Sequence, residues 1–435
     1  MSRPLLASYS HRLETGSTLR WSGRINQVVG NLLESDGPFC SVGESCQITG
    51  SDGRIYSGEI VGFRGSTMLS MAADQPQGIR FGDPIVTWGA RPSVRVGPGM
   101  LGRVLDTAGN PLDGKGDYRA VHSTLIDGSA PLPLERVAIR EPLGCGIRAI
   151  DGFLTCGRGQ RVGIFGGSGV GKSTLIGMMA RGTAADMTVL ALVGERGREV
   201  GEFLEVLGED GLRRAVVVVS TSDQSPLLRL RAALTATAVA EHFASLGKNV
   251  LLIVDSLTRF AMAQREIGLA AGEPPTAKGY TPSVLNMLAR LVERAGNFSQ
   301  GSITAFYTVL MEGDDQQDPV VDTVRSLLDG HVVLDRTLAL RSHYPPISIL
   351  ESLSRLMSSM VSKQHLQKAN ALRVLLAAYA RSEDLIRIGA YQKGTDPTLD
   401  SAIQHLPMLH DFLQQKPGAP CTFEEAVNKL MTLPG

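Results

Sequence analysis

Between Trp21 and Gly89, apolar and polar residues alternate in short runs: Gly23–Val29, Cys46–Thr49, Gly58–Phe63 and Thr67–Met71. Glycines and the pairs Asp36-Gly37 and Asp52-Gly53 break these runs. Period-two alternation with tight turns and no helical period predicts a small β-barrel. From about Ser93 to Ile349 the pattern changes. Continuous apolar runs (Arg161–Phe165, Met187–Val193, Ala215–Ser220, Asn249–Asp255, Ser302–Leu310, His331–Leu334) alternate with stretches of helical spacing such as Leu227–Leu246. Strands apolar on both faces and separated by helices predict an α/β domain, its parallel sheet covered on both sides and its site at the strands' carboxyl ends. After Leu350 helical signals take over. His365–Ala380 is rich in Leu and Ala, Ser382 followed by Glu383 and Asp384 predicts the start of a further helix, and Thr422 with Glu425 has capping-box spacing. The organisation expected is an N-terminal segment (1–20), a β-barrel (21–92), an α/β domain (93–349) and a C-terminal helical domain (350–435).

Composition narrows the class. A chain of 435 residues corresponds to about three domains. Lys plus Arg and Asp plus Glu are both 43, so the formal charge is zero and no basic footprint for coating nucleic acid is present. Mean hydropathy is +0.03, and no apolar run approaches the ~18 residues of a membrane-spanning helix. The N-terminus lacks an apolar signal core, and Cys40, Cys46, Cys145, Cys156 and Cys421 form no CxxC and no disulfide framework. The expectation is a cytoplasmic protein.

The chemistry begins at Gly166-Gly167-Ser168-Gly169-Val170-Gly171-Lys172-Ser173, which satisfies G-x-x-x-x-G-K-[ST] between an apolar strand and a helix opening at Thr174. Glycines let the backbone curl so that its N–H groups point inward, and the following helix adds its positive end at the same place. Such a loop cradles a nucleoside triphosphate. Lys172 is expected on the β/γ-phosphates and the Ser173 hydroxyl in a Mg²⁺ shell. Asn249–Asp255 is an apolar strand ending in a carboxylate, which predicts Asp255 as the metal-side acid. Hydrolysis also needs a group that orients or deprotonates water. Glu195 follows the strand Met187–Val193, and Arg196 stands beside it, a carboxylate and guanidinium suited to that role.

Taken together, Gly194-Glu-Arg-Gly-Arg-Glu199, the run Leu251–Gly268, Gly272-Glu-Pro-Pro275 and Leu328-Asp-Gly-His331 resemble the ATPases of bacterial type III export. These are the flagellar export ATPase and its injectisome counterpart, relatives of rotary ATP synthase subunits. The similarity is strong from Val94 to Asp400 and weaker over the barrel. It implies a RecA-like P-loop ATPase domain and a homohexameric ring with ATP and Mg²⁺ at subunit interfaces. By the same resemblance Glu195 is the catalytic glutamate and Arg196 a phosphate-sensing arginine. Tyr344, in His-Tyr-Pro-Pro-Ile, would stack on adenine, and Arg355, in Leu-Ser-Arg, would be an arginine finger supplied to the neighbouring subunit. The implied partners are a central stalk-like coiled coil, export chaperone–cargo complexes, a membrane export gate at the inner face of the cytoplasmic membrane, and a stator-like regulator. The last would dock at the N-terminus, where Leu5, Leu6, Tyr9 and Leu13 fall near helical spacing.

Thr281 stands where the related loop more often carries proline, near the presumed central pore. A proton-driven synthase subunit is the main alternative. Against it, the tail lacks an acidic rotor-binding run, and Pro407 sits where a long helix would pass. An RNA-translocating ring is a weaker one, because zero net charge and 5% aromatic residues leave little for stacking bases. A non-catalytic scaffold is disfavoured by the joint presence of Lys172, Glu195, Asp255 and Arg355. The stretch Leu385–Gly394 looks more like flagellar members.

Overall fold

The computed structural model describes residues 19–311 and 318–434. The apolar stripe Leu5–Leu13 lies outside the described residues. Six antiparallel strands, β1 (Trp21–Val29), β2 (Leu32–Asp36), β3 (Ser45–Thr49), β4 (Ile55–Arg64), β5 (Thr67–Ala72) and β6 (Pro84–Thr87), close a barrel in the order β1-β2-β5-β4-β3-β6. Alternation puts Ile25, Leu33, Ile48, Ile60, Met68 and Ile85 inside, all fully buried. The barrel is tied to the next domain by Arg231 to Glu59 at 2.8 Å and by Ser225 Oγ donating to the Ala73 carbonyl at 2.6 Å.

A short pair, β7 (Ser93–Val96) with β9 (His122–Leu125), flanks β8 (Arg103–Leu105), which opens the large sheet. That sheet continues with β10 (Arg161–Gly166), β11 (Met187–Glu195), β12 (Ala215–Thr221), β13 (Asn249–Asp255), the short β14 (Gly296–Asn297), β15 (Ser302–Leu310), β16 (Gly330–Leu334) and β17 (Ile347–Ser354). Its order is β17-β16-β10-β15-β13-β11-β12-β8, with β14 paired to β15. All pairings from β16 through to β8 are parallel, whereas β17 and β14 run antiparallel to their neighbours.

Strand alternation sends Val189, Ala191, Val193, Leu252 and Val254 to a core shared with helices Pro226–Ser245, Leu257–Ala271 and Pro282–Val292. Leu190, Leu192, Leu251 and Ile253 go to the opposite core, shared with helices Lys172–Gly182 and Gly197–Arg213 and with the C-terminal helices. Both faces are therefore covered, as continuous apolar strands require.

Three details depart from expectation. β17 runs through Ser354, so the helical region begins at Met357, beyond residue 350; within a register shift against β16, Leu350 and Glu351 both face out before Ser352 turns in, a break in the strand's alternation. Ser382 opens no helix: one helix spans Lys363–Arg387, capped by Ser362. Glu383 is held inside it by Arg387 at 2.8 Å and Arg341 at 2.9 Å. Pro407 does not end the helix Pro397–Leu413. Proline forfeits one backbone donor, but Leu409, Phe412 and Leu413 beyond it are buried, and Phe412 meets Phe153 ring to ring at 5.9 Å. The expected capping box is present, Thr422 with Glu425, at the helix Phe423–Thr432.

Candidate active site

Parallel strands bring their carboxyl ends to one edge, and the chemistry collects there. β10 ends at Gly166, and the loop after it enters helix Lys172–Gly182 with Gly171 as its cap. Gly169 (φ 77°) and Gly171 (φ 90°) occupy the left-handed region, which disfavours a Cβ. A Cβ on Gly166 would lie 2.9 Å from that of Leu334. Gly167 and Val170 are buried, anchoring the loop, while Ser168 and Ser173 are exposed and Thr174 is half-buried.

Lys172 turns back across the edge to the end of β13, where its Nζ lies 2.6 Å from Asp255 Oδ1. Both side chains are largely buried. The same oxygen accepts from Thr308 Oγ1 at 2.7 Å; Thr308 is on β15, between β10 and β13 in the sheet. Asp255 is not a helix cap, because Ser256 does that work by accepting from the Arg259 amide. Its carboxylate is left for Lys172 and the phosphate side.

Glu195 closes β11. Its Oε2 accepts from Arg259 Nη2 at 3.2 Å, and Arg259 Nη1 donates to the Gly194 carbonyl at 2.5 Å. Burial pushes the Glu195 carboxyl up to about 7, a hydrogen bond with Glu199 and the Asp255 charge add to the rise, and Arg259 and Lys172 oppose it. The Glu199 carboxyl is held down, by its side-chain hydrogen bond with Glu195 first and by Arg196 next. A carboxylate titrating near neutrality is well matched to taking a proton from water.

The guanidinium beside Glu195 is thus Arg259 rather than Arg196. Arg196 starts the helix Gly197–Arg213, points outward with its side chain 76% exposed, and pairs with Glu199 at 2.9 Å. Arg259 and Thr308 escaped the sequence reading. The available signals were an arginine in the first turn after a strand-end Asp, and one hydroxyl within the apolar run Ser302–Leu310.

Tyr344, half exposed, faces the same loop: a Cβ on Gly171 would meet its ring at 3.6 Å. Beside it opens a cavity of about 680 Å³ bounded by Tyr344, Arg148, Gln414, Gln415 and Pro420, within the size range of small-molecule sites. Arg355 lies elsewhere. β17 ends beside the start of β16, with Ser354 opposite Gly330, and the Arg355 amide donates to the Asp329 carbonyl at 3.0 Å. Gly330 is level with Val162 at the start of β10, whereas the phosphate loop follows its end. Six residues of strand, at about 3.3 Å each, separate Arg355 from its own loop by roughly 20 Å. Its guanidinium is exposed and donates to the Arg325 carbonyl at 3.4 Å.

The donor set suits magnesium. Ser173 and Asp255 offer oxygen only, and among the described residues no group of three or more His, Cys, Asp or Glu side chains converges. A cation held here would complete its shell with phosphate and water, the habit of Mg²⁺.

A phosphate loop on a parallel sheet with a lysine, a strand-end aspartate and a near-neutral glutamate around it defines a RecA-like P-loop ATPase. Comparison with known proteins narrows this. Residues 25–89 match the ATP synthase alpha/beta family beta-barrel domain, 146–354 that family's nucleotide-binding domain, and 361–432 the T3SS EscN ATPase C-terminal domain. The flagellum-specific ATP synthase of Bacillus subtilis is 50% identical over 97% of each chain. The type 3 secretion system ATPase of Xanthomonas euvesicatoria is 46% identical over 99% of this chain and 98% of its own. The structure of the assembled ATPase EscN from the enteropathogenic E. coli type III secretion system superposes with a TM-score of 0.90 at 43% identity, covering 94% of this chain and 99% of that one. This chain belongs to the ATP synthase alpha/beta family, in the branch that holds the flagellar and type III secretion ATPases.

Proposed function

We propose that this chain forms a homohexameric ring that hydrolyses MgATP to energise type III protein export, releasing and unfolding chaperone-bound substrates for a membrane export gate. The observation that carries the reading is the convergence of Lys172, Asp255 and Glu195 at the carboxyl edge of one parallel sheet. EscN, similar over nearly the whole chain, has been solved assembled and also in complex with its central stalk EscO, which supports a ring with a stalk-like partner here. Among the described residues no helix is long and apolar enough to cross a membrane; the reading is a cytoplasmic enzyme held peripherally at the membrane's inner face. No nucleic-acid partner is included.

In this reading the loop Gly166–Thr174 cradles the triphosphate with its amides and the end of the helix behind it. Lys172 moves from Asp255 to the β/γ-phosphates. Ser173 and Asp255 would hold Mg²⁺, which would supply charge neutralisation on the phosphates. Tyr344 stacks on adenine. Glu195 takes the proton of the attacking water while Arg259 fixes its orientation, and Arg196 senses the phosphate from the exposed rim. Arg355 of each subunit serves the site next door. The stretch Leu385–Gly394 favours the flagellar system. A proton-driven synthase remains the alternative in the same family, and Pro407 inside a continuous helix no longer speaks against it; the absent acidic run still does.

The test is genetic and direct. Replacing the chromosomal copy with a Glu195→Gln allele should stop secretion of flagellar filament and hook proteins while leaving membrane-potential-driven ATP synthesis intact. Normal secretion from that strain would contradict the proposal.

A further inference from the structure

The loop that carries Tyr344 is held from behind by one residue whose role the nucleotide chemistry does not use. His343 is buried, 5% exposed, immediately before the half-exposed Tyr344. Its backbone donates to the Leu338 carbonyl at 3.0 Å, and Ser342 before it takes a left-handed conformation at φ 57°, which turns the chain sharply. The His343 ring then projects toward the C-terminal helical region. Gln414 Nε2 donates to His343 Nδ1 at 3.3 Å. The imidazole of His410, on the helix Pro397–Leu413, meets the His343 ring edge to face at 5.4 Å.

Two further features mark this as more than a packed core histidine. Accepting on Nδ1 puts the ring proton on Nε2, and that atom is buried with no hydrogen-bond partner among the described residues. A leucine of similar volume would avoid an orphaned donor, so a polar ring here needs a reason. Burial, with the neighbouring His410, also lowers His343 to about 4, so the neutral ring keeps Nδ1 free to accept from Gln414 at cellular pH. Second, the same junction is fastened on both sides of the ring. The Gln415 amide donates to the Tyr344 carbonyl at 2.9 Å, and the Gln415 side chain bonds the Arg148 amide and the Gly146 carbonyl. Arg341 pairs with Glu383 of the long helix Lys363–Arg387 at 2.9 Å.

We propose that His343 is a positioning residue for Tyr344: clamped between Gln414 and His410, it ties the aromatic's loop to the C-terminal helices and sets the ring's stand-off from the phosphate loop. Movement of the helix Pro397–Leu413, such as a partner docked on the C-terminal region would impose, then reaches the base-binding pocket through this ring. The inference rests on Tyr344 contacting the nucleotide base.

The experiment is steady-state kinetics on the assembled enzyme with MgATP, comparing Tyr344→Ala, His343→Leu, His343→Asn, Gln414→Leu and the double variant His343→Leu/Tyr344→Ala. An aromatic stacked on a base contributes on the order of tenfold in affinity, so Tyr344→Ala should raise KM about tenfold. His343→Leu should raise KM several-fold with kcat within about twofold, because the loss falls on ground-state binding. His343→Asn, whose amide oxygen can take the place of Nδ1, should restore most of the KM. Gln414→Leu removes the same bond from an exposed position, so it keeps the test alive if His343→Leu folds poorly. The double variant should be no worse than Tyr344→Ala alone, since both changes act through one ring. An unchanged KM in both His343→Leu and Gln414→Leu, or full additivity in the double variant, overturns the proposal while leaving Tyr344's role intact. An unchanged KM in Tyr344→Ala overturns the stacking assignment itself, and the inference with it.

Discussion

Lys172 Nζ and Asp255 Oδ1 lie 2.6 Å apart, joining the phosphate loop to the end of β13 across the intervening strand β15. Both groups are largely withdrawn from water, so removing either leaves the other a buried, uncompensated charge.

Lys172→Ala should therefore fail twice: ATP hydrolysis is abolished because the triphosphate loses its principal cation, and stability falls by about 3 kcal/mol because Asp255 is stranded. The two effects separate in the double variant Lys172→Met/Asp255→Asn. It should regain most of the thermal stability in calorimetry yet remain inactive. A double variant as unstable as Lys172→Ala would show that the pair carries no such coupling.

Glu195→Gln keeps the volume and the contact with Arg259 but cannot take a proton. MgATP affinity should stay near normal while single-turnover hydrolysis slows at least ~10²-fold, the scale of a lost general base. An unchanged rate would move the role to another acid.

The acid dependence of kcat/KM reports groups in the free enzyme. Burial raises Glu195 from the ordinary 4.5 to about 7, and a general base acts in its deprotonated form. Activity should consequently fall about tenfold per pH unit below 7 rather than hold level down to pH 5. Glu199 raises this value and Arg259 lowers it, so Glu199→Gln should move the acid limb to lower pH and Arg259→Met to higher pH. Shifts in the opposite directions would remove Glu195 as the titrating group.

Much of the fold was legible because its strands either alternate, as in β3 and the first half of β4, or are continuously apolar, as in β11 to β13. The phosphate loop and Asp255 were legible because backbone chemistry demands those residue types at those spacings. What was not legible depended on contacts between segments distant in sequence. Arg259 lies 64 positions from Glu195, the carboxylate it pairs with, and its place in the first turn after Asp255 does not by itself name that partner. The continuity of the helix Pro397–Leu413 through Pro407 depends on Phe412 meeting Phe153, tertiary packing that outweighs a local breaker. Ser382 has the composition of a cap but sits inside a helix that Glu383 and its two arginines hold together. Thr281, noted for its place near a presumed pore, is fully buried, and its hydroxyl bonds Ser283 at 3.0 Å beside Gly268 of the preceding helix. Its replacement for proline is a helix-start contact.

The central claim is that each site is completed by its neighbour, and Arg355 tests it most directly because it lies roughly 20 Å along the sheet from its own phosphate loop. Arg355→Ala should leave nucleotide affinity near normal and reduce kcat by ~10³-fold or more, the scale expected of an arginine finger. The decisive measurement is ATPase activity of rings mixed from Arg355→Ala and Glu195→Gln subunits, with mixing verified by native mass spectrometry. Some interfaces in such rings join an intact Glu195 to an intact Arg355, so the account predicts partial recovery well above either inactive parent. Verified mixed rings as inactive as both parents would contradict it.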